Sequence, residues 1–350
     1  MSWFFIQDMG KGSVLTVLSI VILLAIAIFV INSPSGSEGG LVGAFYYVWW
    51  HDGEGGRNWW NEEVMSDIPL LGLYDSRNQS VISQHISWAN QYGIDFFCVS
   101  WWGEGSWEDV TLKDYFLNND NISNIQFAIL YESYDLLEVE EESINFDENN
   151  KQKLVYDFEY LAETYFGHTQ YLKIDEKPVV FIYNARLFNV DYEDAIFELR
   201  FKMAEEGYDL YLIGDMISWL PSLISADLAG QFDAISCYNM VAPLPDINTN
   251  FVEKVVGKYG EWYLTTKGLG VDFIPSMIPS FVEVNPEATT PVVELSLDDF
   301  RLFCENVKTY SDVPIGALIC SFNEWYEGTQ IEKSDILRDD RLEVIYEYFG

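Results

Sequence analysis

Hydrophobic residues occur along most of the chain in short runs that are separated by longer amphipathic stretches. From residue 41 onward, eight runs of apolar, β-branched and aromatic residues have the length of β-strands. Continuous apolar runs are typical of parallel strands that are covered on both faces of a sheet. The predicted strands cover residues 41–49, 94–102, 125–132, 178–184, 209–215, 232–239, 271–276 and 315–322.

The amphipathic stretches between these runs predict helices, so strands and helices alternate. In residues 80–93, Ser80 begins the stretch and Gly93 ends it, which is a typical pair of helix boundaries. Eight such strands in about 300 residues predict an α/β protein with a (β/α)₈ TIM barrel, and a doubly wound open sheet is the alternative. The other predicted helices lie near residues 107–118, 147–166, 190–207, 217–229, 249–267 and 296–309.

The N-terminal segment has a different pattern from the rest of the chain. Residues 13–32 predict a transmembrane anchor, because a helix over the uncharged residues 13–31 would span roughly 28 Å, about one bilayer core. The weak charge bias predicts a short cytoplasmic N-terminus at residues 1–12 and an extracellular or lumenal main domain. A cleaved signal peptide, which would give a secreted protein, is the alternative. Residues 33–40 predict a flexible linker, and residues 41–350 predict one domain.

Charge and cysteine content exclude several classes of function. The chain has 19 basic and 56 acidic residues and a net charge of −37, and no basic cluster is present to bind nucleic acid. Only three histidines are present, so a histidine-based zinc site is not expected. The cysteines form no CxxC pair, and we expect them to be buried and free. They are Cys98, Cys237, Cys304 and Cys320.

Aromatic, amide and acidic residues follow the predicted strands, at the ends where barrel enzymes hold their active sites. Flat rings can stack on pyranose rings, and amides and acids can bind hydroxyl groups, so this set is typical of a sugar-binding cleft. The alternative is that these residues are the first solvated positions of loops, and Asp215 could instead cap a helix. The set comprises Tyr46, Tyr47, Trp49, Trp50, Trp101, Trp102, Glu132, Tyr183, Asn184, Arg186, Asp215, Tyr238, Asn239, Asn323, Glu324 and Glu327.

Two acids of this set lie three residues apart, in the stretch SFNEWYEGTQIE at residues 321–332. Glycosidic cleavage needs one group that protonates the leaving oxygen and another that acts as base or nucleophile. Glu324 and Glu327 could share one side of a turn, where repulsion and desolvation would raise the pKa of a carboxyl group. We therefore predict a catalytic pair, and two solvated loop carboxylates in an acidic chain are the alternative.

Five segments resemble glycoside hydrolase family 99, which comprises endo-α-1,2-mannosidases and endo-α-1,2-mannanases. The resemblance implies a (β/α)₈ barrel, no metal or organic cofactor, and retaining cleavage inside an α-mannoside chain through a 1,2-anhydro sugar. Glu324 would take the proton of the substrate's 2-hydroxyl, and Glu327 would act as general acid and then as base for water. The segments are FYYVWW (45–50), LGLYDSRNQSVISQHISWANQYGIDFFCVSWWG (71–103), HTQYLKIDEKPVVFIYNAR (168–186), FIPSMIP (273–279) and SFNEWYEGTQIE (321–332).

The resemblance also implies substrate contacts at strand ends, and the sequence departs from the family pattern at two places. After residues 273–279 the family usually has Gly and soon an Arg–Pro pair, which this chain lacks, and residues 49–51 read Trp-Trp-His instead of Trp-Tyr-Gly. Both departures lie in substrate-contacting loops, so they concern the sugar and its linkage. A surface carbohydrate-binding protein and a glycosyltransferase-like protein of surface polysaccharide metabolism are the alternatives. The predicted substrate-binding residues are Tyr46, Tyr47, Trp102, Glu132, Tyr238 and Asn323.

Overall fold

The structure is a computed structural model that describes residues 40–51, 60, 65, 67–220, 224–242, 244, 246–285, 289–310 and 313–350. The predicted cytoplasmic segment, the predicted anchor and all of the predicted linker except residue 40 lie outside these ranges. Within the described ranges, no helix has both the length and the apolar character that a membrane span requires.

Each of the eight regions predicted to be strands contains a β-strand. The seventh region is split into two short strands, so the eight regions together contain nine parallel strands. The strands are β1 (Leu41–Tyr46), β2 (Phe96–Trp101), β3 (Gln126–Tyr131), β4 (Lys177–Ile182), β5 (Tyr211–Asp215), β6 (Ala234–Ser236), β7 (Asp272–Phe273), β8 (Ser276–Met277) and β9 (Ile315–Ile319).

These strands pair in parallel and curl into a barrel. Their order in the sheet is β7–β6–β5–β4–β3–β2–β1–β9–β8. Strand β7 pairs with β6, and β8 pairs with β9 at the opposite end of the sheet. Because Ile274 and Pro275 alone separate β7 from β8, the two ends of the sheet belong to one segment of chain. The sheet therefore returns to itself in the predicted TIM-like arrangement, and the doubly wound alternative is wrong.

Helices alternate with the strands along the chain, and most of the regions predicted to be helical contain a helix. Residues Leu112–Phe116 and Ala162–Phe166 continue α2 and α3 as π-helical turns. The first helix begins at Gln79, one residue before the predicted start at Ser80, because its cap is Asn78, whose side chain accepts a hydrogen bond from the Ser80 N–H at 2.9 Å. The numbered helices are α1 (Gln79–Gln91), α2 (Trp107–Thr111), α3 (Glu148–Leu161), α4 (Tyr192–Glu205), α5 (Ala226–Ala229), α6 (Phe251–Leu269), α7 (Leu297–Lys308) and α8 (Asp340–Phe349), and a further short helix, Ser133–Leu136, follows β3.

Two parts of the helix prediction differ from the structure. The helix predicted over residues 217–229 is wrong in its first part, since only α5 is helical in the described part of that range. Pro221 lies within the predicted span, and proline is incompatible with the interior of a helix. Helix α8 was not predicted, although Leu342, Val344 and Ile345 are buried on its inner side.

Side chains of β1 alternate between the barrel interior and the surrounding helices. Phe45 contacts Phe181 of β4 with ring centroids 5.0 Å apart. Since β2 and β3 lie between those two strands in the sheet, this contact crosses the barrel interior. The next residue, Tyr46, points to the other face, where it stacks on Phe97 and bonds to His85 of α1. All four cysteines are buried and free, as predicted.

Candidate active site

The stretch from residue 321 to residue 332 follows β9 and forms a compact turn, which we call the acidic turn. The Glu324 N–H donates to Ser321 Oγ at 2.8 Å, and the Thr329 N–H donates to the Glu324 carbonyl at 3.2 Å. Ser321 Oγ and Thr329 Oγ1 lie 2.9 Å apart, so the two ends of the turn are hydrogen-bonded to each other. Glu324 and Glu327 therefore lie on one closed segment of backbone, as the sequence predicts.

Glu324 is buried at the base of this turn, with 2 % of its surface exposed. Its Oε1 accepts backbone N–H groups from Tyr326 at 2.7 Å and from Glu327 at 3.3 Å. Burial raises the pKa of Glu324 well above its ordinary value, and the nearby charge of Glu327 raises it further, while the two N–H groups oppose the shift. No hydrogen bond from the described residues reaches Glu324 Oε2.

Glu327 is half-buried and belongs to a chain of hydroxyl groups. Tyr47 donates its hydroxyl hydrogen to Tyr238 at 2.8 Å, and Tyr238 donates to Glu327 Oε2 at 2.7 Å. Burial raises the pKa of Glu327 to about 7, with a further contribution from the charge of Glu283, whereas the Tyr238 hydrogen bond lowers it. The second oxygen, Oε1, accepts no hydrogen bond from the part of the chain that the structure describes.

The two carboxyl groups interact strongly, so they lose their protons as a pair rather than independently. A pair of this kind holds one proton over a range of pH near neutrality, which leaves one member able to donate a proton and the other able to accept one. Each also keeps one oxygen without a hydrogen bond from the described residues. The arrangement can therefore perform general acid and general base chemistry on a bound molecule.

A cavity of about 280 Å³ opens beside Glu327. Its wall contains flat aromatic rings together with an ion pair, which is the mixture that a sugar subsite requires. Trp219 is fixed there by a hydrogen bond from its indole nitrogen Nε1 to the Met240 carbonyl at 2.8 Å. The wall of this cavity includes Tyr183, Arg186, Asp215, Trp219, Tyr238 and Glu327.

Asp215 connects three strand ends at this cavity. Its Oδ2 accepts the Asn184 N–H at 2.9 Å and Arg186 Nη1 at 2.9 Å, and its Oδ1 accepts the Tyr238 N–H at 3.1 Å. These contacts join the ends of β4, β5 and β6. Asp215 makes no helix cap, because no helix begins at residue 217. The helix-cap alternative for Asp215 is wrong.

Another cluster lies at the ends of β2 and β3. Ser100 donates its hydroxyl hydrogen to Glu132 Oε1 at 2.6 Å and accepts the indole N–H of Trp102 at 2.7 Å. Glu132 has 5 % of its surface exposed, and its charge contributes to the raised pKa of both Glu324 and Tyr47. Trp102 contacts Trp49 with ring centroids 6.0 Å apart. The structure therefore brings Tyr47, Trp102 and Glu132 to the same end of the barrel as the acidic turn.

The sequence matches the model of glycosyl hydrolase family 99 over residues 41–348. The chain belongs to this family. It is therefore a glycosidase, and its barrel is similar to those of solved glycosidase structures. No curated protein sequence matches the chain.

Three solved structures illustrate that similarity. A protein described as glycoside hydrolase-like is 23 % identical, with a TM-score of 0.72 over 91 % of this chain and 97 % of its own. The family 99 endo-α-mannosidase of Bacteroides thetaiotaomicron with bound bis-tris propane is 20 % identical, with a TM-score of 0.68 over 90 % and 97 %. An endo-β-1,4-mannanase of Thermotoga petrophila is 11 % identical, with a TM-score of 0.54 over 89 % and 77 %. At these identities the likeness shows the fold.

Two residues predicted to bind substrate in this family 99 protein lie elsewhere than expected. Tyr46 is 2 % exposed and its hydroxyl lies 2.9 Å from His85 Nδ1, on the helix side of β1. Asn323 is fully buried, and its amide accepts the Tyr47 N–H and donates to the Tyr47 carbonyl, both at 2.8 Å. In this structure Tyr46 packs behind the acidic turn and Asn323 holds Tyr47 in place, and contact of either side chain with the sugar stays a prediction.

Sequence reasoning missed several residues around the site. A hairpin formed by Ser280–Phe281 and Val293–Glu294 lies next to the acidic turn, since the Val282 N–H donates to the Glu327 carbonyl at 2.7 Å. This hairpin carries Glu283 and belongs to the region that departs from the family pattern. Helix α8 contributes Arg341, which donates to the Gln330 carbonyl in the acidic turn. The aromatic character of Trp219 was a usable signal, but the incorrect helix prediction concealed it.

The site holds no arrangement suited to a metal ion. In the part of the chain that the structure describes, no three His, Cys, Asp or Glu side chains are close enough together to hold one.

Proposed function

We propose that the protein is a retaining, endo-acting hydrolase that cleaves internal α-mannosidic linkages. The observation that carries the proposal is the pair of carboxyl groups in the acidic turn, of which Glu324 is buried and Glu327 lines an aromatic cavity. The family assignment supports glycosidic bond cleavage, and the endo-α-mannosidase among similar structures supports this substrate class.

In the first step, Glu324 acts as the base. Its Oε2 takes the proton of the substrate's 2-hydroxyl, and the 2-oxygen attacks the anomeric carbon. The bond from that carbon to the leaving oxygen breaks as Glu327 donates its proton to that oxygen, which gives a 1,2-anhydro sugar. The pair reacts in the form that has its proton on Glu327. The backbone N–H groups that reach Glu324 Oε1 stabilise the ionised form of Glu324 against the effect of burial, and the pKa of about 7 lets Glu327 hold a proton near neutrality.

In the second step, Glu327 takes a proton from water, and the water oxygen attacks the anomeric carbon. The bond from that carbon to the 2-oxygen breaks, and Glu324 returns its proton to the 2-oxygen. Two inversions at the anomeric carbon give net retention. Neither carboxylate forms a bond to carbon, so both can come from one short turn, unlike the opposed acids of most glycosidases.

The experiment is incubation of the purified full-length chain with α-mannan oligosaccharides and N-glycan fragments, followed by NMR of the first product. We expect oligosaccharide release with the anomeric configuration retained. Glu324→Gln and Glu327→Gln should each abolish hydrolysis while the circular dichroism spectrum is unchanged. Glu343→Gln, an exposed position on α8, is the control that removes one acid without touching the site.

Different failures of this experiment have different meanings. An inverted first product would refute the anhydro-sugar mechanism. Near-full activity in either acidic-turn variant would refute the roles given to the two acids. Tight glycan binding without any released oligosaccharide would favour the carbohydrate-binding alternative instead.

We also propose that residues 13–32 anchor the protein in a membrane, with the catalytic domain extracellular or lumenal. The support is the uncharged stretch over residues 13–31 and the absence of basic residues between it and Arg57. Fractionation of cells that produce the full chain tests this proposal. Recovery of all the protein in the soluble fraction after alkaline washing of membranes would contradict it.

A further inference from the structure

The third acid of the acidic turn, Glu332, lies beneath the two proposed catalytic acids. It is 3 % exposed and its two oxygens contact three donor groups. Oε2 accepts the indole N–H of Trp325 at 2.8 Å and the hydroxyl of Tyr74 at 2.9 Å. Oε1 lies 3.0 Å from Nε2 of the fully buried His85. Both oxygens are thus occupied by protein groups, so Glu332 is not available to a substrate.

The hydrogen bonds around this carboxylate form one consistent chain of donors and acceptors. Tyr74 accepts a hydrogen bond from Asn323 Nδ2 at 3.3 Å and donates its own hydrogen to Glu332. If His85 carries its proton on Nε2, it donates to Glu332 and accepts the Tyr46 hydroxyl at Nδ1, over 2.9 Å. Every side-chain polar group of this network around Glu332 then has a partner, as a well-ordered buried network requires.

The hydrogen-bond network around Glu332 is connected to both proposed catalytic acids by a few residues. Trp325 follows Glu324 directly in the chain and lies two residues before Glu327. Asn323 precedes Glu324 and holds the backbone of Tyr47, whose hydroxyl group leads through Tyr238 to Glu327. A change at Glu332 therefore acts on the acidic turn from two sides.

We propose that Glu332, oriented by His85, is a positioning residue that fixes Trp325 and thereby sets the placement of the Glu324 and Glu327 carboxyl groups. This inference rests on the roles that the proposed function gives to these two acids. Displacements of about 1 Å at a catalytic group can cost about 100-fold in rate, so the loss of this support should appear in kcat.

The principal test compares two substitutions at Glu332. Glu332→Met keeps most of the side-chain volume but removes the oxygens that accept from Trp325 and Tyr74. We expect kcat for the released oligosaccharide to fall at least 30-fold while KM stays within about 3-fold. Glu332→Gln can keep one oxygen toward these two donors while its amide hydrogens face His85, which then accepts at Nε2. It should therefore recover kcat to within about 5-fold of the wild type.

A second readout does not depend on activity. Carbon-13 NMR of labelled glutamate follows the titration of Glu327, which faces Glu324 in the same turn, Glu283 in the hairpin and Tyr238 at the end of β6. We expect a midpoint near 7 in the wild type and in Glu332→Gln. In Glu332→Met the midpoint should move by at least half a pH unit toward the ordinary value, because the displaced carboxyl group becomes more solvated.

Asp109→Asn is the matched control for stability. Asp109 is also a fully buried carboxylate that accepts an indole N–H, from Trp101 at 2.9 Å, and tyrosine hydroxyls, from Tyr160 and Tyr165. We expect its substitution to lower the unfolding midpoint without changing kcat or the Glu327 titration. If Glu332→Met does not fold, Trp325→Phe removes the same hydrogen bond from the other side and should lower kcat by about 5- to 10-fold.

The results separate this inference from the proposed function. If the wild type releases no oligosaccharide from any glycan, the proposed function fails and the NMR titration alone decides the positioning role. An unchanged kcat and an unchanged titration in folded Glu332→Met would overturn the inference. A loss of kcat in Asp109→Asn equal to that in Glu332→Met would also overturn it, because general destabilisation would then explain both.

Discussion

The raised pKa of Glu327 makes a quantitative prediction about stability. Its carboxyl group has a pKa of about 7 in the folded chain, against an ordinary value of 4.5. The folded state therefore binds this proton more tightly than the unfolded state does, and stability is lost as pH rises from about 4.5 through about 7. At 1.36 kcal/mol per pH unit, the ionised carboxylate costs the fold about 3 kcal/mol above pH 7.

Glu327→Gln removes this cost while it keeps the shape of the side chain and an oxygen for the Tyr238 hydroxyl. We expect the variant to be more stable than the wild type by about 3 kcal/mol at pH 8.5, and equal to it within about 0.5 kcal/mol at pH 4. Since Glu324 shares the same site, some of the gain belongs to the pair, because Glu324 ionises more easily once its neighbour is neutral.

Equilibrium unfolding in urea at both pH values measures this difference, with linear extrapolation and an unchanged m-value as the test of two-state behaviour. Glu343→Gln, on the exposed side of α8, should show no pH-dependent gain. A gain for Glu327→Gln that has the same size at pH 4 and pH 8.5 would refute the argument from ionisation. A loss of stability at pH 8.5 would show that the carboxylate is stabilised in the fold.

Three further predictions concern the acidic turn and its cavity. Hydrolysis should fall about tenfold for each pH unit above about 7, because the general acid loses its proton there, and a rate that stays level to pH 9 would contradict its assignment. Gly328→Ala should destabilise the fold by about 1–3 kcal/mol, since Gly328 has φ +65° and a Cβ would lie 2.8 Å from the Val282 carbonyl oxygen; an unchanged urea midpoint would contradict this strain. Trp219→Ala should raise KM for the glycan at least 5-fold by removing a stacking surface, and an unchanged KM would place the sugar elsewhere.

The fold could be predicted largely because a parallel barrel buries each strand on both faces. Strand β3 reads QFAILY and is buried from Phe127 to Tyr131, so its apolar run is continuous and its boundaries are clear. The division of the seventh region into β7 and β8 is harder to predict from the sequence. Pro275 lies between the two short strands, and β7 pairs with β6 whereas β8 pairs with β9. The helix predicted over residues 217–229 is wrong in its first part because amphipathic spacing alone does not exclude a helix there, whereas Pro221 does.

From the sequence, only those site residues could be predicted that directly follow a strand. The barrel places Tyr47, Glu132 and Tyr238 at one end, which the chain order alone implies. Successive side chains of a strand point to opposite faces, so a shift of one residue decides whether a side chain faces the cavity or the helices; Tyr46 lies on the helix side. Trp219 and Glu283 come from long connections between strands, where sequence pattern gives no position.

The three acids of the acidic turn differ in how many hydrogen-bond donors contact them. This difference distinguishes the acid that positions the turn from the two acids that can exchange a proton with a substrate. Glu332 has three donor groups from the protein on its two oxygens, whereas Glu324 has two on one oxygen and Glu327 has one. A carboxylate whose oxygens are all occupied cannot exchange a proton with a substrate without first breaking a buried hydrogen bond. The two acids that keep an oxygen free of the described donors are therefore the pair that we propose to act, and the third acid supports the turn through Trp325 and Tyr74.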